Sequence, residues 1–219
     1  VPYVVLSLTF EYPQVLRQET GEILRKFRGG GHGLIATWWV FALLGMPLLV
    51  ALVRLGQWLE NQFPFVRWAT TLGIIGLLVQ MVGLLLWPFV VPVLARHYEE
   101  GNAVIRQARL LAFEVVQQYG GVILGEHLGQ LFTIIWTLAL NRALALLGWF
   151  PRWVVTLDYV VPCIYVCAHL ELCATVIPGF PVVPYPGLMG SSLRLAMFLA
   201  VGGILASHRE GQAGIPFPG

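Results

Sequence analysis

The chain has 219 residues, 58% of them hydrophobic and 11% charged, with a mean hydropathy of +0.76. A soluble domain is roughly half apolar and a quarter charged, so composition excludes an ordinary soluble globule. A formal net charge of +2, with no basic patch interleaved with aromatics, excludes a nucleic-acid binder.

Most apolar residues fall in runs of about twenty, the length that crosses a hydrocarbon core roughly 30 Å thick. The expected fold is all-α: one polytopic transmembrane helix bundle with five complete spans, a partial one before them, and helices lying at the membrane interface. Residues 1–10 are apolar but too short to span, and read as a truncated helix. Residues 11–32 are polar and carry Arg17, Arg25, Lys26 and Arg28. Thr20 can cap a short helix here, Ile23, Leu24 and Phe27 line one side of it, and Gly29, Gly30 and Gly31 end it. Its cations are expected to face lipid head groups.

Residues 33–55 form the first span, with Trp38 and Trp39 near one end, where indoles favour the interface, and a kink expected at Pro47. After a loop over Gln57–Arg67, the second span covers 68–94, contains Gln80 and ends near Pro88 and Pro92. From Asn102 the pattern is helical again, and 102–119 reads as an amphipathic interfacial helix, or else as an extension of the next span. Val104, Ala108, Leu111 and Val115 share one face, while Arg106, Gln107, Glu114 and Gln117 lie opposite; Leu110 and Phe113 break the pattern.

The third span, 121–140, carries Glu126 and His127 inside an apolar run. Asn141–Arg152 is a tight connection, so the fourth span, 153–175, runs antiparallel to the third. The fourth contains Asp158, Pro162, His169 and Glu171. Residues 178–190 are rich in proline and glycine, the fifth span covers 187–207 and contains Arg194, and the tail after His208 is expected to be disordered. Cys163, Cys167 and Cys173 all fall in one apolar run and read as packing residues rather than a disulfide framework.

Seven cations (Arg17, Arg25, Lys26, Arg28, Arg96, Arg106, Arg109) fall on one side of this topology and five (Arg54, Arg67, Arg142, Arg152, Arg209) on the other. The positive-inside rule places the first group in the cytoplasm of a multi-pass membrane protein.

A rise of 1.5 Å per residue gives the depth of each polar group. Glu126 lies about 7–8 Å below the cytoplasmic boundary, His169 about 6 Å and Arg194 about 10 Å. With His127 and Glu171 they form a polar layer at one level, and pairing Glu126 with Arg194 removes much of the cost of about 2.5–3.5 kcal/mol for a lone intramembrane charge. Asp158 sits near the opposite boundary, within reach of Arg152 or water. Such pairs also hold helices together without forming a site.

Three functional readings stay open. One is a non-enzymatic protein whose polar layer binds a small ligand, a lipid head group or a partner. Another is a metal-dependent hydrolase, with His127, His169 and Cys173 as ligand candidates and Glu126 as general base. The third is a proton-coupled transporter using Glu126 or Asp158. Enzyme motifs fail: there is no His-Glu-x-x-His and no Gly-x-Ser-x-Gly, and the pair Glu99-Glu100 is followed by Val104 where a prenyl-protease-like motif needs arginine. The sequence identifies no cofactor. Membrane lipids are the expected partners, with a protein partner or a second copy as further candidates.

Two patches resemble a known family. Phe10-Glu-Tyr-Pro-Gln-Val-Leu-Arg17, with Glu22–Gly30 and Thr37–Ala42, is similar to the start of an uncharacterised bacterial integral-membrane family, a domain of unknown function numbered in the four-thousand-three-hundreds. Gly121-Val-Ile-Leu-Gly-Glu-His-Leu-Gly129 is similar to its central signature. The resemblance implies a further span before the Tyr-Pro patch and places Glu126 and His127 in a motif; it implies no activity.

Overall fold

The computed structural model describes residues 2–180 and 186–212. Among these the chain is all-helical, with no strand. Ten α-helices follow in order: α1 (Pro2–Phe10), α2 (Thr20–Gly29), α3 (Gly31–Leu43), α4 (Gly45–Glu60), α5 (Phe65–Phe89), α6 (Val91–Glu100), α7 (Ala103–Val116), α8 (Gly129–Leu147), α9 (Arg152–Glu171) and α10 (Pro186–Gln212). Between α7 and α8 the chain winds as a π-helix over Gln117–Leu128. Short 3-10 turns cover Gln14–Arg17 and Leu172–Thr175.

Four helical segments are long and apolar enough to cross a membrane: Gly31–Glu60, Phe65–Glu100, Ala103–Leu147 and Arg152–Thr175. They contain the first four expected spans. Within α10, Leu195–Ile204 is a shorter apolar stretch. Part of the proline-glycine connection, residues 181–185, and the tail beyond Gln212 lie outside the described residues.

The chain divides into two compact units, Val1–Trp58 with Thr70–Thr133, and Leu59–Ala69 with Ile134–Gly219. The first has a core of large side chains: Leu6, Phe10, Val15, Ile23, Leu24, Phe27, Trp38, Trp87 and Phe113 are all buried. Trp38 and Trp87 stack at 4.7 Å between centroids. Phe10 meets Phe27, Trp38 and Trp87 edge-on at 5.6–6.3 Å, the geometry that aromatic quadrupoles favour. In the second unit Trp136 packs on Phe198 and Arg142 lies over the ring of Phe65.

Several local expectations are corrected. Thr20 does not cap α2; it lies within the helix, Glu19 is the N-cap residue, and the Thr20 hydroxyl donates to Glu114 Oε1 at 3.2 Å. The inner face of α2 is as expected, with Ile23, Leu24 and Phe27 buried, and its glycine stop is real: Gly31 has φ +58°, which suits a residue without Cβ. The cations of α2 meet protein carboxylates. Lys26 Nζ donates to Glu11 Oε2 at 2.8 Å, and Arg28 lies 3.7 Å from Glu99 and 3.3 Å from Glu100.

The first span breaks at Leu44. Pro47 explains it, because its ring clashes with the carbonyl four residues earlier, that of Leu43. The connections are tighter than expected: α4 runs to Glu60, and α8 runs past Asn141 to Leu147, leaving a turn at Gly148 with φ +70°. Cys163 and Cys167 are exposed and Cys173 half-buried, all as free thiols, so the first two do not fill a core.

Asn102 does cap α7, its side chain accepting from the Ile105 N–H at 3.0 Å. The helix then continues into the π segment and α8 as one helical segment, Ala103–Leu147. The two residues that broke the amphipathic pattern explain its packing. Phe113 is 3% exposed and Leu110 packs on the core, whereas Val104, Leu111 and Val115 are 77%, 54% and 68% exposed. Phe113→Ala is therefore expected to destabilise the protein by about 3–5 kcal/mol and Leu111→Ala by less than about 0.5 kcal/mol, measured by thermal unfolding in detergent.

Candidate functional site

Tyr12 is placed by a turn that the chain over-determines. Glu11 takes φ +57°, a left-handed conformation that costs a non-glycine residue on the order of 1 kcal/mol or more. Its side chain is held there by Lys26 and by Gln18, whose Nε2 donates at 3.1 Å. The Lys26 hydrogen bond keeps the Glu11 carboxyl below its ordinary value. The Tyr12 N–H donates to Leu6 O, and the Ser7 hydroxyl donates to Tyr12 O at 2.9 Å. The Tyr12–Pro13 peptide is cis.

The Tyr12 ring meets Trp38 at 5.1 Å, Tyr3 at 5.5 Å and Phe41 at 6.5 Å, all edge-on. Its phenol is pushed well above the ordinary 10.0, first by burial and then by the negative charge of Glu126. The Tyr-Pro turn and the Gly-Glu-His-Leu-Gly stretch, more than a hundred residues apart, therefore meet electrostatically. Beside them, Trp38 is fully buried and its Nε1 has no hydrogen-bond partner among the described residues.

Glu126 is placed by glycines. The π-helix passes so close to α5 that a Cβ on Gly83 would lie 2.8 Å from Gly125 Cα and 2.9 Å from Gly120 O, both backbone atoms. One turn on, a Cβ on Gly129 would lie 2.3 Å from Gln80 Cγ. Small residues at such positions let helix backbones touch. Gln80 Nε2 donates to Gly129 O and to Thr133 Oγ1, both at 2.9 Å, so this polar residue of the second span has a structural partner. The winding itself is wide: the Gly129 N–H reaches back five residues to Leu124 O. Helices of this kind are mostly single-turn bulges and recur at functional sites, whereas this one runs for 12 residues. A π-helix advances less per residue than an α-helix, so a depth reckoned from the α-helical rise does not carry over to Glu126.

Glu126 is half-buried and His127 exposed, both in the first unit. His169, half-buried in the last turn of α9, belongs to the second unit. Glu171 ends α9 and Arg194 lies in α10, but the side chains of both fall outside the described residues. Asp158 is buried in α9, and its backbone oxygen accepts from Asn141 Nδ2 at 2.7 Å. No three His, Cys, Asp or Glu side chains come together as a metal-ligand group among the described residues, and His127, His169 and Cys173 form none.

Sequence reasoning missed Tyr12, Trp38 and a buried polar stripe on α8, Thr133, Thr137 and Asn141. The stripe was readable from its spacing of four, which puts all three on one helix face. The approach of Tyr12 to Glu126 left no local signal.

Residues 3–205 match a family described as "Domain of unknown function (DUF4386)", and the chain belongs to that family. Comparison with curated proteins and with solved structures finds no match.

Two outcomes follow from this geometry. Gly83→Ala is expected to destabilise by about 1–3 kcal/mol, while Gly120→Ala, whose Cβ would meet open space, is neutral or stabilising by up to about 1 kcal/mol in the same thermal melts. Glu126→Gln is expected to lower the Tyr12 pKa, read from the ring-carbon shift in NMR. The value stays above 10.0, because burial, the larger cause, remains.

Proposed function

We propose that this is a multi-pass protein of a bacterial inner membrane that binds a small polar ligand or a lipid head group at Glu126, without catalysing a reaction on it. The observation that carries the reading is geometric: in the first unit the half-buried carboxylate of Glu126 follows the close approach of Gly125 to Gly83, and the indole N–H of Trp38 is buried with no acceptor among the described residues. A half-buried carboxylate supplies an acceptor, and its charge bears on the Tyr12 phenol. A buried indole N–H adds a donor whose desolvation is offset only when it finds an acceptor.

Exposed aromatics support the membrane placement. Trp39, Phe89 and Tyr119 stand near one end of the first three spans, and Trp68, Trp149 and Trp153 near the other end of spans two to four. On α5, Trp68 and Phe89 are separated by about 31 Å at the helical rise, close to the thickness of a hydrocarbon core. Aromatic side chains of this kind favour the two interfaces. The seven-to-five distribution of cations places the Tyr12 and Glu126 end in the cytoplasm. Five spans, with α10 as the last, remain part of this reading.

The test is mass spectrometry of small molecules and lipids that co-purify with the full chain in lipid nanodiscs. A species retained by the wild type and by His127→Ala, but reduced by about tenfold in Glu126→Gln, is the expected result; that loss corresponds to roughly 1.4 kcal/mol of binding. An unchanged spectrum in a folded Glu126→Gln protein overturns the reading.

A further inference from the structure

We propose that the outer face of α7 is a lipid-contact surface, on which Val104, Ala108, Leu111 and Val115 rest in the head-group–acyl boundary of a phospholipid bilayer. The proposal rests on the membrane placement argued above and does not depend on the Glu126 site.

α7 is apolar on two opposite sides. Phe113 and Leu110 face the core of the first unit. At 100° per residue, Val104, Ala108, Leu111 and Val115 form a line roughly half a turn away from Phe113. All four are exposed, and Gln107 and Glu114 flank them. Gln107 and Glu114 fall together along one edge, and a helix with apolar residues on two opposite faces has something apolar against both. One neighbour is the protein's own core.

Continuity identifies the other. The exposed line runs on along the same uninterrupted helix through Tyr119 and Ile123 to Leu131 and Leu138. The last two lie in the part of the chain that crosses the bilayer, where an outward leucine meets acyl chains. The full segment Ala103–Leu147 has 45 residues where about 20 span a hydrocarbon core, so even with the smaller advance of the π winding α7 falls beyond the core. Tyr119, at the junction, is the kind of side chain that marks the interface.

The arm that leads into α6 and the arm that leads out of α7 both depart from regular α-helical winding near this level. α5 ends at Phe89 and α6 begins at Val91, with Pro88 and Pro92 on either side, and the other arm winds as a π-helix over Gln117–Leu128. Prolines and π segments are where helices bend. Between these arms α6 carries Arg96, an exposed cation that suits head-group phosphate.

The experiment attaches a nitroxide label at Val104→Cys, Leu111→Cys and Val115→Cys, one at a time, in a full chain with Cys163, Cys167 and Cys173 replaced by serine. Gln107→Cys and Leu138→Cys serve as references. The protein is reconstituted in vesicles of phosphatidylcholine with phosphatidylglycerol. Collision rates with oxygen, which partitions into lipid, are compared with those of a water-soluble nickel chelate. The expected result is a several-fold preference for oxygen at Leu111 and Val115, and the reverse at Gln107. Preference for the chelate at all three α7 sites overturns the proposal if Leu138 remains oxygen-accessible; if Leu138 also prefers the chelate, the membrane placement itself has failed. Protection from both reagents, with dipolar broadening between labels, puts a second copy of the chain on this face and likewise overturns the proposal.

Discussion

The contact on which the first unit depends is the backbone approach of α5 and the π segment at Gly83 and Gly125. Neither residue has a Cβ, and a methyl group on Gly83 would lie within 2.9 Å of two backbone atoms that cannot rotate away. One turn further along, the side chain of Gln80 takes the space that Gly129 leaves and donates to its carbonyl. Two helices held this closely gain dispersion contacts along their whole shared length, the main attraction available where lipid competes for every apolar surface.

Beyond that contact the chemistry changes. The aromatic group of Phe10, Phe27, Trp38, Trp87 and Phe113 packs as the core of a soluble domain does, with edge-on and stacked rings and full burial. Around it the ion pairs of Lys26 and Arg28 are largely exposed, and such pairs contribute little because water and salt screen them. Burial, not charge, therefore holds α2 against α6 and α7. The same burial raises the Tyr12 phenol, so the feature that stabilises this part of the unit also keeps a neutral hydroxyl beside Glu126.

Much of the fold was legible from the sequence because it depends on local rules. Runs of about twenty apolar residues marked the helices, Asn102 marked a helix start, and Gly31 marked a stop. Periodicity failed at α7 for a physical reason. It detects one apolar face, and α7 has two, so Leu110 and Phe113 looked like exceptions when they were the contacts with the core. The π winding was illegible because an assumed period of 3.6 residues cannot show a departure from itself. Of the candidate site, Glu126 stood out as a carboxylate in an apolar run. Tyr12 did not, since a tyrosine beside a proline is ordinary, and only the fold brings residues this far apart into one field.

The motif Gly125-Glu-His-Leu-Gly129 then reads as a single device. Its first glycine is held against Gly83 and its last against Gln80, so the three residues between them are fixed at both ends. Within that wide turn Glu126 is half-buried while His127 is exposed. In an ordinary α-helix the same five residues would subtend a larger angle around the axis. The glycines thus bear on the site without touching it: they hold the ends of the turn that carries the charge.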